Sequence, residues 1–134
     1  MRCPTAGGWV RRRRHPDNAS ASVYGGATLS VTDPGEPLPR TRSVPLRLHP
    51  QIEAVVLVPE MTLSTHTART VLPEVVPLAT AAANSARTGL LVHALTAAPE
   101  LLVEATHDLL HQEPRRPSYP QSMALVDTLR GAGL

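Results

Sequence analysis

Ser64-Thr65-His66-Thr67-Ala68-Arg69 opens, and His111-Gln112-Glu113-Pro114-Arg115-Arg116 closes, the one stretch of this chain with a long periodic pattern. Between them Val75, Ala79, Ala82, Ala86, Leu90, Ala94 and Ala97 recur at spacings of three and four, which predicts one buried stripe on a helix. A helix of that extent is roughly 35 Å long at about 1.5 Å per residue. Its alanines let neighbours approach closely, and Asn84, Ser85, Arg87 and Thr88 supply polar flanks. Pro77 suits the first turn, where a missing N–H costs nothing.

Shorter elements extend from this spine in both directions. Upstream, Thr62 or Ser64 caps a helix reaching about Leu72, stopped by Pro73, with Thr65 and Arg69 one turn apart on one face. Before it, Ala54-Val55-Val56-Leu57-Val58 is a continuous apolar run of strand length, which predicts a strand covered on both faces. Downstream, a helix starts at Pro99 with Glu100 in its first turn. It buries Leu102, Ala105, Leu109 and Leu110, and ends near Gln112. A last helix over residues 121–130 turns Met123, Val126 and Leu129 inward and stops at Gly131-Ala132-Gly133.

Near the N-terminus, Asp17 or Asn18 caps a short helix that Gly25-Gly26 ends. Thr28, Leu29, Ser30 and Val31 alternate as a half-buried strand, residues 33–39 form a turn, and Val44 to Leu48 returns as an edge strand marked by Pro45. The expectation is an α+β chain.

Composition narrows the function classes. The chain has 134 residues, no Phe, and only Trp9, Tyr24 and Tyr119 as aromatics, so Ala, Leu and Val fill a thin core. All thirteen basic residues are Arg, five of them within the first fourteen positions; from residue 15 onward eight Arg face eleven acids, a balance of −3. The first fourteen residues read as an unstructured Arg-rich leader. Without interleaved aromatics, and with an acidic body behind it, the leader argues against a nucleic-acid partner. A single Cys3 allows no internal disulfide, no run has the length to span a bilayer, and no apolar segment follows the arginines, so the cytoplasm is expected.

His107 and His111 lie one helical turn apart, a spacing able to place two imidazoles on a metal, but there is no HExxH pattern and no metal site is assigned. The acids Glu100, Glu104 and Asp108 read as a solvated face. There is no GxSxG elbow and no glycine-rich loop opening a helix. What remains is a dispersed polar set: His15, Asp17 and Asn18; Thr65 and Arg69; Arg115. Two guanidinium groups facing one pocket suit a small carboxylate.

At these residues the chain resembles the homoserine kinases of the galactokinase, homoserine, mevalonate and phosphomevalonate (GHMP) kinase superfamily. The strings that carry the likeness are HPDN followed by a small-residue helix and Gly25-Gly26, LSTHTARTVLPEVVP, Asn84-Ser85-Ala86-Arg87 with Leu90-Leu91, DLLHQ with Arg115, and the closing Leu129-Arg130-Gly131-Ala132-Gly133-Leu134. The resemblance covers residues 15–134. It implies ATP- and Mg2+-dependent phosphorylation of the L-homoserine hydroxyl on the way to threonine. It places Asn18 near the reacting hydroxyl, His15 and Asp17 in the substrate-side motif, Thr65 and Arg69 as a substrate-binding pair, and Arg115 as a second carboxylate clamp. It also implies a remnant of the superfamily's N-terminal domain over residues 15–48, most of a ferredoxin-like C-terminal domain over residues 49–134, and a homodimer as in related kinases. The family's GLGSSAA-type phosphate loop, the acidic magnesium ligand and the SGAGP segment have no counterpart, and Pro114 stands where the family tends to have Tyr. A piece without the ATP-holding residues, inactive alone, is therefore expected. The alternatives are a non-catalytic homoserine-binding or kinase-partner fragment, or a remnant whose first fourteen residues come from a shifted frame.

Overall fold

In a computed structural model, residues 16–33, 40–59 and 70–133 are described, and they divide into two units at Leu48 and His49. In the first unit, helix α1 (Pro16–Tyr24) precedes an antiparallel pair, β1 (Ala27–Asp33) and β2 (Arg40–Leu46). The helix starts at Pro16, so Asp17 and Asn18 sit inside its first turn, not at a cap ahead of it. Gly25 and Gly26 end it at φ +73° and +65°, a left-handed backbone that glycine adopts without penalty, and the Gly25 amide closes on the Ala21 carbonyl at 2.9 Å.

In the β1–β2 register Thr28 pairs with Pro45, Ser30 with Ser43 and Thr32 with Thr41. Pro45, with no N–H to give a neighbour, thus sits in a two-stranded sheet where every strand is an edge. The hydroxyls form a ladder: Ser30 to Ser43 at 2.7 Å, Thr32 to Thr41 at 2.9 Å, and the buried Ser20 of α1 to Ser30 at 2.9 Å and Thr28 at 3.2 Å. The helix therefore docks on the hydroxyl side of the strands. The opposite side carries Leu29 with its partner Val44, and Val31, of which Val31 and Val44 are exposed.

In the second unit, α2 (Leu78–Thr96) is the long element, about 28 Å at ~1.5 Å per residue. Pro77 stands at its N-cap and accepts the Ala81 amide at 3.1 Å. At its other end the His49 amide takes the Leu95 carbonyl at 2.8 Å, satisfying a carbonyl that has no partner within the helix, and the Thr96 hydroxyl adds a bond to the Val92 carbonyl at 2.8 Å. A 3-10 turn (Pro99–Leu101) and α3 (Leu102–Ala105) pack back on α2. Then come α4 (Gln112–Arg115), a 3-10 turn (Arg116–Ser118) and α5 (Pro120–Gly131).

Three sequence expectations are corrected. The alanine stripe turns inward only near its end: Ala94 is buried and Leu90 half-buried as expected, but Ala79, Ala82, Ala86 and Ala97 are exposed and Val75 is 85% exposed, while Thr80, Asn84, Arg87 and Leu91 are half-buried. An Ala-rich helix has nearly equal apolarity all round, so periodicity of small residues does not select a face. The run at residues 54–58 forms no strand among the described residues, and Val55, Val56 and Val58 are at least 80% exposed. Apolar character alone supplies no neighbouring N–H and C=O ladder. The single helix expected from Pro99 to Gln112 is broken at residues 106–111. Ala105 is buried as expected, whereas Leu109 is exposed. Of the inward residues assigned to the last helix, Met123 is buried and Leu129 is exposed. The upstream helix and the turn at 33–39 fall almost wholly outside the described residues.

Candidate functional site

The broken segment at residues 106–111 is the most elaborately bonded irregular backbone among the described residues. Four consecutive amides are each taken by a side chain. Asp108 N–H donates to Gln112 Oε1 (3.2 Å), Leu109 N–H to Asn84 Oδ1 (2.8 Å), and the Leu110 and His111 N–H groups both to Asp108 Oδ1 (2.8 and 3.1 Å). The helix stops here because these side chains offer the backbone a better set of acceptors than the next helical carbonyls. Asn84 reaches in from α2, so the polar flank of the spine is what holds the loop.

Two further side chains close it. Gln112 Nε2 donates to the Thr106 carbonyl at 2.9 Å, and Arg130 of α5 sends one terminal nitrogen to both that carbonyl and Gln112 Oε1, each at 3.0 Å. His111 Nδ1 lies 2.8 Å from Asp108 Oδ2. Partial burial opposes the charged form of Asp108, but the Leu110 amide, the His111 ring and the His111 amide outweigh it and hold the carboxyl below its ordinary value. His107 and His111 are not on one helix, so the helical spacing behind a two-histidine metal pair is not there.

Arg115 ends α4, immediately after this loop, and is half-buried. Its neighbour Arg116 is committed elsewhere: Nε and one terminal nitrogen bind the two oxygens of Glu113 at 2.8 Å each, and the terminal nitrogens bind Asp127 of α5 at 2.7 and 3.1 Å. Hydrogen bonds from Arg116 hold the Glu113 and Asp127 carboxyls below their ordinary values, and those two carboxylates raise the Arg116 guanidinium. Arg116 is a tie between α4 and α5. On α2, the Nε of Arg87 is buried without a hydrogen-bond partner.

Of the other residues singled out from sequence, Asp17 and Asn18 lie on α1 in the first unit, and His15, Thr65 and Arg69 lie outside the described residues. Sequence reasoning named Asn84, Gln112 and Arg130 as a helix flank, a helix end and parts of shared strings, and none of them as a loop anchor. Nothing in spacing marks them, since their partners are backbone groups of a loop that had been read as helix.

The described glycines do not make a phosphate cradle. Gly25 and Gly26 follow the C-terminus of α1, and Gly131 and Gly133 lie at the C-terminus of α5, the end of a helix whose dipole repels phosphate. Among the described residues no three His, Cys, Asp or Glu are grouped to hold a metal ion. The described residues therefore do not fit ATP or Mg2+. Among the described residues no helix is long and apolar enough to cross a membrane.

No family model matches the chain. Curated homoserine kinases do. That of Streptomyces coelicolor is 48% identical over 120 residues, covering 90% of this chain and 38% of the relative. That of Rhodococcus erythropolis is 47% identical over 125 residues, covering 90% and 39%, and that of Corynebacterium aurimucosum is 47% identical over 122 residues, covering 89% and 40%. The chain is thus homologous to homoserine kinases over nine-tenths of its own length and spans about two-fifths of theirs.

Proposed function

We propose that this chain carries the amino-acid-binding portion of a homoserine kinase of the GHMP superfamily, an enzyme that moves a phosphoryl group from ATP to the L-homoserine hydroxyl. The observation that carries this reading is the 42–48% identity to homoserine kinases across nine-tenths of the chain. The site's geometry supports it in one respect. Phosphoryl transfer depends on positioning and charge stabilisation, so a guanidinium meant for a substrate carboxylate belongs on backbone that does not move. Arg115 ends the one-turn helix α4, which follows directly on a loop whose amides are held.

Arg69 and Arg115 are the two carboxylate clamps, Thr65 assists Arg69, and Asn18 with His15 and Asp17 lies on the side of the reacting hydroxyl. Residues 15–48 belong to the N-terminal domain of the superfamily and residues 49–134 to its ferredoxin-like C-terminal domain. The residues for ATP and Mg2+ are not among those described, and this chain alone binds homoserine without turning it over. Titrating L-homoserine into the chain by calorimetry, beside Arg69→Ala and Arg115→Ala, tests the assignment. Heat from the parent chain that either variant loses supports it, and equal heats from all three overturn it.

A further inference from the structure

A four-residue helix cannot hold itself. In α4 the Arg115 amide reaches the His111 carbonyl at 3.1 Å, and a single turn of helix does not by itself offset the entropy of fixing it. The placement of the α4 backbone, from which the Arg115 side chain extends, therefore depends on what grips α4 at its ends. At the far end Arg116 is bound to Asp127. At the near end Gln112, the first residue of α4, is bound to Arg130, and both also bind the Thr106 carbonyl. Asp127 and Arg130 are three residues apart on α5, hence on one face. A single face of α5 thus presents an acid to the residue after Arg115 and a base to the residue that begins its helix.

The two grips differ in kind. The Arg116 tie is exposed and screened by water and salt. The Arg130 tie closes a three-membered ring of hydrogen bonds, Arg130 to Thr106, Gln112 to Thr106 and Arg130 to Gln112, and Gln112 Oε1 also receives the Asp108 amide, so displacing Arg130 loosens the loop as well as the helix. Resting on the reading of Arg115 as a carboxylate clamp, we infer that Arg130, acting through Gln112, is a positioning residue for homoserine: it sets the direction in which Arg115 meets the substrate carboxylate without touching the substrate itself.

The experiment uses the whole 134-residue chain and two ligands followed by NMR titration: L-homoserine, and 3-amino-1-propanol, which keeps an amine and a hydroxyl but has no carboxylate. Arg130→Met removes the ring's donor while keeping the apolar stem, and Arg130→Lys returns an ammonium able to reach both acceptors. Far-UV circular dichroism establishes that the variants keep their helix content. Arg130→Met should weaken homoserine roughly tenfold, the size of one lost anchor, leave 3-amino-1-propanol unchanged, and be largely rescued in Arg130→Lys. If Arg130→Met binds homoserine as the parent does while Arg115→Ala does not, the positioning role falls and the clamp stands. If both ligands weaken equally, or helix content collapses in both variants, Arg130 is a general structural residue and the inference is overturned. If the parent and Arg115→Ala bind homoserine equally, or neither binds it, the clamp reading fails and takes the positioning role with it.

Discussion

Asp108 shows how one side chain decides a local fold. Read as part of a helix, it falls on an acidic outer face with Glu100 and Glu104; in the structure its Oδ1 accepts two amides and its Oδ2 meets His111. Asp108→Ala should cost about 1 kcal/mol, as does loss of a capping oxygen, measured by urea unfolding. Asp108→Asn keeps an acceptor and should cost less. The carboxyl is held below its ordinary value of 3.8, so its contribution is present above that pH and is lost as pH falls through the lower folded value. Protection of the Leu110 amide, relative to its intrinsic exchange rate at each pH, should therefore fall in the parent chain as pH drops below 3.8, and the Asn variant should lack this acid step. If both respond alike to acid, the cause lies elsewhere. The break at this position was not legible from sequence, because an Asp that caps a turn and an Asp on a solvated helix face have the same neighbours in the chain. The interrupting partner, Asn84, is twenty-five residues before Leu109, whose amide it accepts.

Elements marked by proline and glycine were legible. Pro77 at the head of α2, Gly25-Gly26 after α1 and the glycines ending α5 lie where the backbone rules put them. Which face of α2 turns inward was not, because alanine gives every face a similar weight. The observed face leads to opposite outcomes for two alanines: Ala82→Lys should change stability by under about 0.5 kcal/mol, while Ala94→Leu, at a fully buried site, should cost about 1–3 kcal/mol through overpacking. Comparable losses from both in thermal unfolding would restore the original stripe, which holds Ala82 and Ala94 alike. Gly89 is helical, exposed, and has open space where a Cβ would stand. Gly89→Ala should thus stabilise the chain by about 0.5–1 kcal/mol by restricting the unfolded backbone. Residues 54–58 present β-branched side chains to solvent, a pattern that favours self-association. Val56→Lys should leave the unfolding midpoint unchanged and raise solubility.

At the scale of the whole molecule, the identity to homoserine kinases and the distribution of glycine point to a division of labour. The residues proposed for the substrate side, Asp17 and Asn18 on α1 and Arg115 at the end of α4, all fall within strings shared with that family. The sequence already set Gly25-Gly26 and Gly131-Ala132-Gly133 at the ends of helices, with no glycine-rich loop opening one. The structure puts the described pairs after helix C-termini, where unpaired carbonyls face outward and the dipole is negative. A nucleotide triphosphate bound there would meet like charge. Incubated with ATP, Mg2+ and L-homoserine, the purified chain should form no phosphohomoserine above a protein-free control, while homoserine alone should still shift Arg115-dependent signals. Turnover that scales with chain concentration and disappears in Arg115→Ala would mean that phosphate is held by residues outside those described, and the division of labour would have to be redrawn around them.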